Sequence, residues 1–119
     1  MMLLFILLML VSPFSMASLW NDAWLNSNQQ GYKLMQQKSM LQAAAKFSDP
    51  KWRAAALYKS GKYKAAAEIY KKYNSKTDFY NLANAYIQQG KLDQAILNYK
   101  KAANKLAAFR AILVTLLTY

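Results

Sequence analysis

In the run Phe79-Tyr80-Asn81-Leu82-Ala83-Asn84-Ala85-Tyr86-Ile87-Gln88-Gln89-Gly90-Lys91-Leu92-Asp93-Gln94-Ala95-Ile96-Leu97-Asn98-Tyr99-Lys100-Lys101-Ala102, small and apolar residues return at helical intervals on both sides of one glycine. Phe79, Leu82, Ala83 and Tyr86 share a face of one helix, and Ala95, Tyr99 and Ala102 share a face of a second. Gly90 can take a positive φ, so it ends the first helix and lets the second begin. Ala83 and Ala95 let the two backbones approach closely. Phe79, Tyr86 and Tyr99 then supply buried area that an all-alanine hairpin lacks. The run therefore predicts an antiparallel helical hairpin.

Moving toward the N-terminus, the same wording recurs after Gly61. Both Gly61 and Gly90 have an aromatic or Leu two residues on (Tyr63, Leu92), an Ala five on (Ala66, Ala95) and a Tyr nine on (Tyr70, Tyr99), which is internal repetition. Trp52, Ala54 and Leu57 supply a shortened first helix for this earlier unit. Gly31, Leu34, Met40, Ala43 and Phe47 predict a third, weaker hairpin, and Asp49-Pro50 separates it from the next, Asp49 as N-cap and Pro50 in the first turn. The expected class is all-α, built of stacked antiparallel helical hairpins behind an apolar N-terminal helix. Three hairpins meet the minimum that such arrays need.

Composition narrows the chemistry. The chain has no Cys and no His, which removes thiolate nucleophiles, disulfides, imidazole bases and nearly every zinc or haem site. Asp22, Asp49, Glu68, Asp78 and Asp93 are its only carboxylates, and none are spaced to converge on a cation or to work as acid and base. No catalytic, cofactor-binding or metal-binding residue is expected, no small-molecule substrate, and no enzyme. The net charge is +11, with ten Lys and Arg53 between residues 33 and 76 against Asp49 and Glu68. Such a field attracts acidic proteins or anionic lipid. Tyr58-Lys59, Lys62-Tyr63-Lys64 and Tyr70-Lys71-Lys72-Tyr73 superficially suit single-stranded nucleic acid. Helical spacing accounts for them better, because Tyr63, Ala66 and Tyr70 form one core-facing stripe with the lysines off it. Nucleic acid is not an expected partner.

Both ends are apolar. Met1 to Phe14 is about 14 residues against the roughly 20 of a bilayer span, and Ser15-Met16-Ala17 suits a signal peptidase cutting before Ser18. No Lys or Arg precedes the run, so residues 1–17 are expected to be either a signal peptide or the remnant of a transmembrane anchor. Residues 108–119 form a second apolar tail, interrupted by Arg110 and two Thr. That tail packs on the preceding hairpin, enters a membrane, or is not the natural continuation of the fold.

Residues 76–107 resemble the tetratricopeptide repeat (TPR), a hairpin unit of about 34 residues, with Phe79, Leu82, Ala83, Tyr86, Gly90, Ala95, Tyr99 and Ala102 at its structural positions. Residues 18–75 resemble degenerate copies. Where the family closes its unit with Pro, this chain has Ala107, so the second helix is expected to run on, as in a truncated or frame-altered form of a longer repeat protein. Leu19-Trp20-Asn21-Asp22-Ala23-Trp24-Leu25, Gln29-Gln30, Ala43-Ala44-Ala45-Lys46-Phe47, Asp49-Pro50-Lys51-Trp52-Arg53 and Ala56-Leu57-Tyr58-Lys59-Ser60-Gly61 look like the tail of bacterial aerotolerance-type (Bat) membrane proteins, which join a von Willebrand factor A domain to TPR repeats. The A domain and its metal-binding motif are missing from this sequence, so no metal site carries over.

The resemblance implies a non-catalytic protein-binding scaffold of the bacterial envelope, at the inner membrane or in the periplasm. Its implied neighbours are A-domain membrane proteins and a MoxR-type AAA+ ATPase. Tyr80, Asn84, Ile87 and Gln88 are the expected partner-binding residues, because the first helix of each unit lines the concave face. Asn84 falls where some family members hold a partner's carboxylate or backbone, although Tyr80 replaces the usual lysine one turn earlier. Lys59, Lys62, Lys64, Lys71 and Lys72 would extend that surface toward an acidic segment. The alternative is a basic helical protein that sits on anionic lipid.

Overall fold

A computed structural model describes residues 24–118, and among these the regular structure is entirely helical. The elements are α1 (Ser27–Gln36), α2 (Met40–Lys46), α3 (Pro50–Lys59), α4 (Tyr63–Tyr70), α5 (Lys76–Gln88) and α6 (Leu92–Thr118). The signal peptide or anchor expected at 1–17, with its apolar N-terminal helix, lies outside the described residues, as does most of the Trp20 stretch.

Local chemistry sets the helix starts. Asn26 caps α1 in a reciprocal box with Gln29, each side chain accepting from the other's backbone N–H at 2.9 Å, which satisfies two donors that no intrahelical carbonyl can reach. Asp49 caps α3 by accepting from the Lys51 N–H at 2.9 Å, with Pro50 at the first helical position, as the sequence predicts. Ser75 and Asp78 form a second reciprocal box at α5.

The turns between α1 and α2, α3 and α4, and α5 and α6 repeat one backbone device. Lys38, Gly61 and Gly90 take φ of 61°, 84° and 73°. The N–H that follows each of them donates back to a carbonyl of the preceding helix: Ser39 to Leu34 at 2.9 Å, Lys62 to Leu57 at 2.8 Å, Lys91 to Tyr86 at 2.9 Å. The left-handed residue's own N–H closes the shorter ring, Lys38 to Met35, Gly61 to Tyr58 and Gly90 to Ile87. Each is a Schellman end, which satisfies carbonyls the helix leaves open. The second helix of each pair opens the same way, with Ala43, Ala66 and Ala95 donating to Ser39, Lys62 and Lys91.

Small residues sit where helices meet. Ala43, Ala54, Ala56, Ala66, Ala83, Ala85 and Ala95 are fully buried, and the substantial packing is between helices consecutive in the chain. One core cluster joins Ala54, Ala66, Ala67, Tyr70, Leu82, Ala83, Tyr86 and Ala95. A second joins Ala43, Ala44, Phe47 and Ala56, and Leu57 packs against both. Phe47 is held edge-on to Tyr32 at 5.2 Å and stacked on Trp52 at 5.9 Å. A Cβ at Gly31 would stand 2.9 Å from the Phe47 ring, so glycine there is what lets α1 approach.

Two aromatics differ from expectation. Tyr86 is buried, but Phe79 and Tyr99 are half-buried: the Lys101 ammonium stands 5.7 Å from the Phe79 ring centroid, and Tyr99 meets Tyr80 edge-to-face at 5.7 Å. Both rings keep part of their surface in solvent.

The helix expected to run past Ala107 does so. α6 continues unbroken to Thr118, and every residue from 103 to 118 is exposed. Among the described residues, no helix is long and apolar enough to cross a membrane.

Candidate partner-binding cleft

Ala55, Tyr58 and Lys59 of α3, Tyr70 at the end of α4, and Asn81 and Asn84 of α5 line a cleft of about 180 Å³. Ala55 and Asn84 each lie six residues before their turn glycine and both line it, whereas Ile87, three before Gly90 as Tyr58 is three before Gly61, does not.

One tie fixes the register of α5 against α3. Asp78, buried at the first turn of α5, accepts from the Ser75 N–H at 3.0 Å, from the Ser75 hydroxyl, and from Lys51 Nζ of α3 at 3.1 Å. Burial alone would raise its carboxyl; the Ser75 hydroxyl and N–H and the Lys51 ammonium outweigh that and hold it below the ordinary carboxylate range. Asp78 is therefore an anion at neutral pH and locks hairpin to hairpin. Lys51 also lies 4.9 Å from the Tyr73 ring centroid.

Of the four residues expected from sequence to bind a partner, the structure groups two. Asn84 lines the cleft, and its Oδ1 accepts from the Tyr99 hydroxyl. Tyr80 packs against the same Tyr99 and is 52% exposed. Ile87 and Gln88 are exposed on α5 and do not line this cleft. Sequence reasoning passed over Asn81, Ala55 and Tyr70 as lining. The signal for the first two was present, since Asn81 lies one turn before Asn84 and Ala55 is the α3 counterpart of Asn84.

The cleft offers hydrogen bonds and one cation. Burial pushes the Tyr70 phenol above its usual range, and the charges of Asp78 and Tyr58 push the same way. Burial, Tyr80 and Tyr58 do the same to Tyr99. Both stay protonated at neutral pH, and the Tyr99 hydroxyl donates to Asn84. Lys59 adds a solvated positive charge at the rim, and Lys62, Lys64, Lys71 and Lys72 are exposed nearby in sequence, Lys71 paired with Glu68 at 2.9 Å. Tyr63, Ala66 and Tyr70 fall as the stripe predicts, the latter two buried and Tyr63 half-buried edge-on to Tyr58 at 5.1 Å. Among the described residues, no three acidic, His or Cys side chains group to hold a metal.

Comparison of the chain with protein-family models, with curated proteins and with solved structures gives no match in any of the three.

Proposed function

We propose that this chain is a non-catalytic TPR-like scaffold, an α-solenoid of three hairpins whose first helices hold an extended protein segment. One observation carries the reading: the threefold recurrence of a left-handed residue, an Ala five residues on and an aromatic nine on, at Lys38-Ala43-Phe47, Gly61-Ala66-Tyr70 and Gly90-Ala95-Tyr99. Repetition at that spacing supports a stacked array in which successive first helices share one face. The cleft supplies amide and phenol groups for a backbone and Lys59 for an acidic side chain. The resemblance to aerotolerance-type proteins supports a place in the bacterial envelope beside A-domain membrane proteins and a MoxR-type ATPase.

A photoreactive residue introduced at Asn81 in the cleft, compared with one at Glu68, which lines a different surface with Gly61 and Lys64, tests this in membrane extract. Adducts containing an A-domain protein are expected from position 81 and not from 68. Identical adducts from both positions, or none from either, would remove the reading.

A further inference from the structure

The last half of α6 is an apolar helix that nothing among the described residues covers. Ala95, Asn98 and Ala102 face the α5 side and are buried; the same stripe continues through Leu106, Phe109, Leu113 and Leu116, all exposed. Exposure is not confined to that stripe. Ile112, Leu113 and Val114 are consecutive, with Ile112 58% and Val114 61% exposed, and Leu117 is 85% exposed. At about 100° per residue those three alone sweep more than half of the circumference. A protein groove covers one face of a helix; this helix is apolar on most sides, which suits a fluid apolar medium.

Its polar groups agree. The Thr115 hydroxyl donates to the Ala111 carbonyl at 2.9 Å, and the Thr118 hydroxyl to Val114 and Thr115 at 2.9 and 3.1 Å. Both donors are satisfied within the helix and resist burial less. After Asp93 the described residues hold no carboxylate, while Lys100, Lys101, Lys105 and Arg110 are all exposed. A second copy would bring the same cations to the seam and be repelled; an anionic surface attracts all four. Residues 106–118 measure roughly 20 Å along the axis, short of the roughly 30 Å hydrocarbon core.

We propose that residues 106–118 of α6 lie within the surface of an anionic lipid bilayer, with Leu106, Phe109, Ile112, Leu113, Leu116 and Leu117 in the acyl boundary and the four cations among the headgroups. This moves lipid contact from the lysine-rich hairpins to the end of α6 and does not depend on what the cleft binds. Arg110 extends its stem along the apolar side and keeps its guanidinium at the headgroups.

The full chain, which has no natural Cys, takes a single environment-sensitive fluorophore at Leu116→Cys, with Lys64→Cys as the comparison. With mixed phosphatidylglycerol and phosphatidylcholine vesicles, the label at 116 is expected to shift blue and to be quenched by acyl-chain quenchers, and the label at 64 to stay aqueous. Lys100→Gln with Lys101→Gln should weaken partitioning about twenty-five-fold, at roughly fivefold per cation near an anionic surface. A label at 116 that stays aqueous overturns the proposal even if the protein sediments with vesicles, because contact then lies elsewhere. A blue shift without vesicles that grows with protein concentration also overturns it, because a second copy then covers the helix. Far-UV circular dichroism on the same labelled chains confirms that the hairpins remain folded.

Discussion

Asp78→Ala should cost about 2 kcal/mol at neutral pH. The carboxylate, at the third position of α5, accepts the Ser75 N–H and hydroxyl, and hydrogen bonds to a charged acceptor are worth roughly 1.5–3 kcal/mol. It also holds Lys51 at 3.1 Å. Because the Lys51 side chain is 49% exposed, that pair is discounted to at most about 1 kcal/mol. For a helical domain of this size, the sum lowers the melting temperature by roughly 10 °C. The effect has a pH signature. The folded-state pKa of Asp78 is depressed, so its stabilisation is complete above the unfolded carboxylate value of about 3.9 and is lost as pH falls through the lower folded value. Thermal melts followed at the helical circular dichroism band from pH 7 to pH 2 should show a constant gap between the natural chain and Asp78→Ala down to about pH 5. Below that the gap should narrow. Asp78→Asn, which keeps the shape and loses the charge, should fall between the two. Equal melting at neutral pH, or a gap that persists undiminished at the acid end, would refute the assignment of Asp78 as a charged tie between hairpins.

Gly31→Ala should destabilise by about 1 kcal/mol in urea titration, although alanine is the better helix former by roughly 0.5–1 kcal/mol, because its Cβ meets a Phe47 ring that Tyr32 and Trp52 hold in place. Lys38→Gly should raise the melting temperature by a few degrees, worth about 0.5–1 kcal/mol, since it relieves a left-handed non-glycine residue; no rise would mean that the Lys38 conformation is unstrained. The pair Leu113→Glu and Leu116→Glu should leave the hairpin melting transition within about 0.5 kcal/mol of the natural chain, as these side chains are covered by nothing among the described residues. A large loss of stability there would show that the end of α6 packs within the molecule.

The third turn shows how a repeat can be half legible. Gly61 and Gly90 announce their turns because glycine is the residue that takes positive φ freely. Lys38 adopts the same conformation without that letter, so its unit looked weaker than its backbone is. The Ala43-Phe47 spacing, identical to Ala66-Tyr70 and Ala95-Tyr99, was the surviving mark. Asp78 went unnoticed as a tie between hairpins. Its capping half was legible, since Ser75-x-x-Asp78 before an apolar run is a capping-box pattern, but its tie depends on Lys51, a residue on another helix that only packing brings within 3.1 Å.

The order of residues by itself determined the helical class, the hairpin boundaries at Gly61 and Gly90, the caps at Asp49 and Pro50, and the alanines at the helix contacts, because each follows from local backbone preference or from the period of one helix. Tertiary structure decided what depends on distance between helices. It joined Asn84 to Tyr99 and Asp78 to Lys51, opened the cleft between α3 and α5, and left the apolar end of α6 uncovered among the described residues, since no local rule states which neighbour, if any, comes to cover a face.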